Sequence, residues 1–262
     1  MKGHFLRKKG RFPYPWREIF YSATAPSRDG RFPPKRFKAT LKPDTNRHEE
    51  YMDAKKLDIA ILLFPGVTAQ DFIGPHTILS LFANIRLCWK DKNPVATDSG
   101  IRMLPDTTFA ECSGACDMLL VPGGPPENVA RIEEDPEVAA FLRDLAGRSR
   151  YVTSVCTGAL ILGAAGLLKG YKAATHWTSF DKLEGYGAIP TRQRVVTDRN
   201  RITGGGVTAG LDFGLTVLAE LRGEKAAKFA QLLVEYNPAP PFDCGSPETA
   251  DPDVLAMFPG RR

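Results

Sequence analysis

Cys156, within Thr153-Ser154-Val155-Cys156-Thr157-Gly158, is the side chain in this sequence best placed for covalent chemistry. An apolar run from Tyr151 to Val155 leads into it, small residues follow, and a helix-forming segment extends from Ala159 to Leu168. Strand, tight turn and helix in that order put the thiol at the carboxyl end of a strand. There it lies beside backbone N–H groups that a helix cannot satisfy internally, which favours negative charge on sulfur. The arrangement is a nucleophile elbow with cysteine in the place of serine. An inert cysteine buried on a core strand is the competing reading.

A nucleophile also needs a proton donor and a place for developing charge. Asp71 follows the first apolar run by a short loop and reaches the same sheet edge; its alternative use is as a cap for the helix around Pro75. Two acids at close range cannot both ionise readily, so Asp71 and Cys156 would share a proton, and a protonated Asp71 beside a thiolate is a general acid. Gly123-Gly124 ends another apolar run, and the N–H groups of Gly124 and Thr157 form a candidate oxyanion pair, or else the glycines mark an ordinary turn. His176, in Ala174-Thr175-His176-Trp177, is a secondary candidate for a thiol-imidazole pair, against a purely structural role.

Gly204-Gly205-Gly206 precedes a helix but lacks the lysine and spacing of a phosphate-binding loop, so a tight turn is the better reading. Cys112 and Cys116 have no second ligand pair nearby, so neither a metal site nor any cofactor is expected.

Elements that would position these residues alternate along the chain. Leu57 to Phe64 is a near-continuous apolar run ending at Pro65-Gly66, which reads as a strand buried on both faces of a parallel sheet. A helix over Thr77 to Ala83, a strand over Ile85 to Trp89 and short strands within residues 93–104 follow. Asp117 to Val121 reads as a further buried strand, and Asp135-Pro136 opens a helix to about Ala146 with the aspartate as cap. Beyond the elbow come a short strand (Lys172 to Thr175), a helix (Trp177 to Glu184), a hairpin around Asp198-Arg199-Asn200, and helices to Leu221 and over Glu224 to Glu235. The pattern predicts one doubly wound α/β domain over residues 57–236, with ligands bound beyond the carboxyl ends of its strands.

Residues 1–56 stand apart. They hold 15 of the 35 Lys/Arg residues but 6 of the 30 Asp/Glu residues, so the net charge of +5 belongs to this segment and the rest is mildly acidic. Prolines and absent periodicity predict a disordered basic extension, read as a nucleic-acid-binding arm, a targeting peptide, or a tail without function whose true start is Met52. The arginines among Phe12, Tyr14 and Trp16 are the one hint of nucleic acid, which is otherwise not expected as a partner. Residues 237–262, rich in Pro, Gly and Asp, read as an irregular tail with no room for a helix-turn-helix domain. Five irregularly spaced cysteines make a poor disulfide framework and point to a reducing, cytoplasmic setting, and no apolar run is long enough to span a membrane.

Several of these stretches together resemble the class I glutamine-amidotransferase-like superfamily that contains the PfpI peptidases and the Parkinson's-linked deglycases. Within it, the isocyanide hydratase branch is the most similar. The resemblance lies in Leu63-Phe64-Pro65 with Asp71 and Gly74-Pro75-His76, in Val121 to Gly124, in YVTSVCTGALILGAAGLL from Tyr151 to Leu168, and in ATHW from Ala174. It continues through TGGGVTAG (Thr203 to Gly210) and YNPAPPFDCGSP (Tyr236 to Pro247). It implies a flavodoxin-like three-layer sandwich, a homodimer and no cofactor. The implied activity is hydration of organic isocyanides, as small-molecule substrates, to N-substituted formamides. Cys156 would be the nucleophile, forming a thioimidate, with Asp71 as general acid/base and Thr157 supporting the cysteine. Thr157 stands where the peptidases carry histidine, and Asp71 where deglycase-like members carry glutamate. A cofactor-free glyoxalase or deglycase, and a non-catalytic oxidative sensor in which Cys156 becomes a sulfinic acid, remain as alternatives.

Overall fold

The computed structural model describes residues 55–258. The extension expected over residues 1–56 lies outside them except for Lys55 and Lys56, as do residues 259–262. Strand β1 (Leu57–Leu62) is buried along nearly its whole length, and β2 (Ala83–Trp89) and β6 (Cys116–Val121) pair with it in parallel on either side. The other strands are β3 (Val95–Ala96), β4 (Arg102–Met103), β5 (Thr107–Thr108), β7 (Ser149–Val155), β8 (Lys172–Ala173), β9 (Ile189–Pro190), β10 (Val195–Asp198) and β11 (Arg201–Gly204). Seven form one sheet in the order β10-β11-β7-β6-β1-β2-β5, parallel except for the β10–β11 hairpin. Continuous apolar strands of this kind require cover on both faces.

That cover comes from two groups of helices. Helices α1 (Ala69–Leu79), α6 (Ala209–Arg222) and α7 (Glu224–Leu233) pack together. Helices α2 (Pro126–Glu133), α3 (Pro136–Gly147), α4 (Gly158–Ala164) and α5 (Phe180–Gly185) form the second group around β6 and β7. The result is the doubly wound α/β sandwich that the alternating pattern implies, with the core centred on β1, β6 and β7. Among the described residues no helix is long and apolar enough to cross a membrane.

Several boundaries differ from expectation. The first helix begins at Ala69 rather than Thr77 and ends at Leu79, so Asp71 lies in its first turn and Ala83 opens β2. Pro75 sits inside that helix, where its missing N–H leaves the Asp71 carbonyl without its helical partner. The ring is accommodated because α6 presents glycines: a Cβ on Gly210 would lie 3.0 Å from Pro75 Cδ, and one on Gly214 3.1 Å from Ile78 Cβ. Helix α4 stops at Ala164 instead of Leu168. Gly166, at φ 78°, turns the chain into a Schellman cap in which Leu167 N–H donates to Leu162 O and Gly166 N–H to Gly163 O.

The strand expected over Lys172 to Thr175 ends at Ala173, and the following helix opens as a 3₁₀ turn (Trp177–Ser179). Helix α2 has no counterpart in the sequence reading. The segment read as an irregular tail contains α8 (Pro252–Ala256), and the Phe258 ring packs edge-on against Trp177 at 4.9 Å. Asp135 caps α3 as expected, accepting from Glu137 and Val138 N–H.

Candidate active site

Cys156 occupies the corner between β7 and α4 with φ at 58°, a left-handed conformation that costs free energy for any residue but glycine and marks a strained elbow. The corner is held from three sides. Cys156 N–H donates to Gly204 O (3.1 Å) and Gly205 O (2.8 Å), and Thr175 Oγ1 donates to Cys156 O at 3.0 Å. Gly158, two residues on, can carry no side chain, because a Cβ there would collide with Val121 O of β6. Glycine is thus what lets α4 begin so close to β6.

Asp71 is fully buried and Cys156 nearly so. One carboxyl oxygen, Oδ2, accepts from Gly123 N–H at 2.9 Å. The other, Oδ1, has no partner of ordinary hydrogen-bond geometry among the described residues, and the Cys156 thiol is the side chain that bonds most directly to this carboxyl. Burial pushes Asp71 up from 3.8 to about 7, opposed by the Gly123 and Cys156 hydrogen bonds and aided by the charge of Asp98. Burial, then the charge of Asp71, pushes the Cys156 thiol up to about 12, although Thr157 and Val207 N–H and the Thr157 hydroxyl favour the thiolate. Burial and the facing carboxylate thus oppose charge on the sulfur while the N–H groups and the Thr157 hydroxyl favour it, and the two acids titrate as a coupled pair.

Thr157 lies between the two halves of the site. Its Oγ1 accepts from Gly124 N–H (3.0 Å) and lies 2.9 Å from Gly124 O, to which it donates. This also corrects the candidate oxyanion pair: Gly124 N–H is spent on Thr157, while Thr157 N–H is directed at sulfur, joined there by Val207 N–H. At Gly123 a Cβ would collide with Thr157 Oγ1 and lie 3.0 Å from Asp71 Oδ2, so only glycine lets the acid and the elbow meet.

The helix carrying Asp71 is itself placed by the β3–β4 hairpin. Thr68, at its N-cap, makes no side-chain cap; instead Asp98 Oδ1 accepts from Ala69 N–H at 3.1 Å. Gly66 N–H to Ala96 O (2.8 Å) and Asp98 N–H to Val67 O (3.0 Å) tie the preceding loop to the same hairpin.

The family model described as DJ-1/PfpI family matches residues 57–220. The chain belongs to the DJ-1/PfpI family. It is 49% identical over 201 residues to a Pseudomonas putida protein named isonitrile hydratase, covering 76% of this chain and 87% of that one. A solved ThiJ/PfpI family protein from Pseudomonas syringae superposes with a TM-score of 0.78 at 46% identity, covering 84% of this chain and 92% of the other. The zebrafish Parkinson disease protein 7 homolog is 31% identical over 139 residues, 52% of this chain and 73% of that protein.

In this DJ-1/PfpI chain the structure brings together Asp71, Cys156, Thr157 and the Gly123-Gly124 turn. It does not bring His176 into a hydrogen bond with the thiol. His176 Nδ1 bonds Thr178 Oγ1 at 2.7 Å, burial lowers its basicity, and its Cδ2 edge lies against Gly206. The residue of that stretch that does touch the elbow is Thr175. Sequence reasoning passed over it, together with Val207 and Asp98, because each acts through a backbone atom or across a loop. Of the glycines read as a tight turn, Gly204 ends β11 and Gly205-Gly206 lead towards α6; the Gly204 and Gly205 carbonyls orient the elbow.

Proposed function

We propose that this protein hydrates organic isocyanides to N-substituted formamides, with Cys156 as nucleophile and Asp71 as the acid/base that moves its proton. The observation that carries the reading is the buried Asp71–Cys156 pair, in which the thiol faces the carboxyl and Asp71 Oδ1 is buried without a hydrogen-bond partner among the described residues. The 49% identity to a protein named isonitrile hydratase supports the substrate class.

The terminal carbon of an isocyanide accepts a nucleophile when protonation accompanies attack. As the Cys156 sulfur bonds to that carbon, its proton passes to the Asp71 carboxylate, which then delivers it to the same carbon, giving a thioimidate. Asp71 next takes a proton from water as the water oxygen adds to the thioimidate carbon, and passes it to nitrogen. The carbon–sulfur bond then breaks, the remaining water proton returns to sulfur, and the formamide leaves. Isocyanide and water are consumed, one formamide forms, and the protein is unchanged. Hydrogen bonds from Thr157 and Val207 N–H lower the cost of charge on sulfur during exchange.

A small-molecule substrate, a homodimer and a cytoplasmic location belong to the same proposal. Exposed Leu232 and Leu233 on α7 support an apolar contact between copies, and five free cysteines suit a reducing compartment. The test is to incubate the purified protein with an alkyl isocyanide and, separately, with methylglyoxal, following formamide and lactate. Formamide is expected, and none from Cys156→Ala. Lactate without formamide would replace the hydratase reading with the glyoxalase one, and turnover surviving Cys156→Ala would remove the mechanism.

A further inference from the structure

A second thiol site lies across the sheet from the elbow and takes no part in the chemistry above. Cys88, in β2, and Cys112, in the loop between β5 and β6, are both buried with their sulfurs 3.7 Å apart, the Cys88 thiol donating to Cys112. Their backbones are fixed on both sides. Residues Cys88 and Trp89 pair with Thr107 and Thr108 of β5, and Cys112 N–H donates to Thr108 O at 3.0 Å. Two guanidinium groups hold the next three carbonyls: Arg148 donates to Cys112 O and Gly114 O, and Arg86 Nη1 to Ser113 O at 3.4 Å. Closing the gap to a bonded S–S distance of about 2.05 Å needs sulfur movement of less than about 2 Å.

We propose that Cys88 and Cys112 are a peroxide-responsive dithiol that closes to a reversible disulfide, independently of the elbow and of the activity proposed for it. Cys112 is the attacking sulfur. The Cys88 hydrogen bond, with Arg86 and Arg148 beside it, draws the Cys112 thiol below its usual range, and Arg86 Nε is buried with no hydrogen-bond partner of its own. Cys88 is shifted upward by the same hydrogen bond and by burial, which keeps it the protonated, resolving partner. The neighbouring Cys116 is held differently: its thiol points at Met118 O (3.0 Å) and Asp58 O (3.2 Å), and burial raises it.

The chemistry balances with a hydroperoxide as oxidant. The Cys112 thiolate takes the terminal oxygen, the O–O bond breaks, and sulfenic acid forms as the peroxide's other oxygen leaves and is protonated. Cys88 sulfur then attacks Cys112 sulfur, its proton leaves with the hydroxyl as water, and the S–S bond closes. Exposed Glu111 and Ser113 flank Cys112, which gives a small peroxide a short path while burial of both sulfurs excludes bulky disulfides.

The experiment treats the full-length protein with hydrogen peroxide, unfolds it in excess N-ethylmaleimide and maps peptides without reduction. The expected result is the Cys88 peptide joined to the Cys112 peptide, at about 2 Da below the sum of the two, with the link reversed by dithiothreitol. Cys112→Ser should lose the link and keep both the oxidation of Cys156 and the turnover of the reduced protein. Recovery of Cys88 and Cys112 as maleimide adducts after doses that oxidise Cys156 would overturn the proposal, as would a link from Cys112 to Cys116. The wild-type map decides the matter even if the serine variant fails to fold.

Discussion

Cys156 and Cys112 are both buried thiols in one domain, yet the first faces a carboxylate and the second two guanidinium groups. Burial and the carboxylate oppose charge on Cys156, and the carboxylate gives its proton somewhere to go when a substrate arrives. The Cys88 hydrogen bond and then the guanidinium groups favour charge on Cys112, with no base beside it, so that sulfur is suited to exchange with oxidants rather than to proton-coupled addition. Backbone conformation separates them too. Cys156 is strained at φ 58°, whereas Cys112, in the loop between β5 and β6, adopts no left-handed conformation. A buried thiol thus takes its chemistry from its charged neighbour and its access from its backbone.

The contrast predicts a graded series of effects. The largest is at Cys156→Ala, which should abolish formamide formation while leaving the Cys88–Cys112 link intact; loss of both together would mean that the two sites are one system. Asp71→Asn comes next, with kcat/KM falling by roughly 10²–10⁴-fold, the usual range for a lost acid/base. The same variant should lower the Cys156 pKa, read by thiolate absorbance, because the largest cause that remains is burial alone. It should also change stability in a defined window. In the folded protein Asp71 keeps a proton up to about pH 7 that the unfolded chain releases near 3.8, so wild-type stability falls as pH rises through that interval. The stability advantage of Asn over Asp should grow across the same interval and level off above it, as thermal unfolding at several pH values would show.

Thr157→Val should follow, since it leaves buried Gly124 N–H without an acceptor, a loss of about 1–3 kcal/mol by denaturant unfolding with a fall in turnover. A variant as stable as wild type would show that Thr157 does not join the two halves of the site. Asp98→Asn is subtler. It retains an oxygen to cap Ala69 but removes the charge that helps raise Asp71. Because attack requires the ionised carboxylate, kcat/KM should rise with pH through about 7 in wild type, and in the variant that limb should move to lower pH. An unmoved limb would confine Asp98 to a capping role. The smallest effect is expected at His176→Ala, whose ring bonds Thr178 rather than the thiol; a loss as large as that of Asp71→Asn would restore histidine to the chemistry.

Much of this was legible in the chain because it rests on local pattern. A near-continuous apolar run can only be a strand covered on both faces, and a cysteine between such a run and a helix can only sit at a corner. That logic yields β1, β6, β7, the elbow, the β10–β11 hairpin and the Asp135 cap. Helix α1 was misplaced because Pro75 reads as a helix boundary, and the reason it is not one lies more than a hundred residues away, in Gly210 and Gly214. Helix α2 escaped because its segment is polar around only two buried residues.

The sequence by itself determined that a thiol, an acid and paired glycines would gather at the carboxyl edge of a parallel sheet, since strand order and direction follow from the alternation of elements. Tertiary structure alone decided how far burial opposes charge on the thiol and the carboxyl, which N–H groups are free to face sulfur, and that Thr175 rather than His176 holds the elbow. Each of those depends on burial and on distances between segments far apart in the chain, and desolvation is a property of the surroundings that no residue carries in its own type.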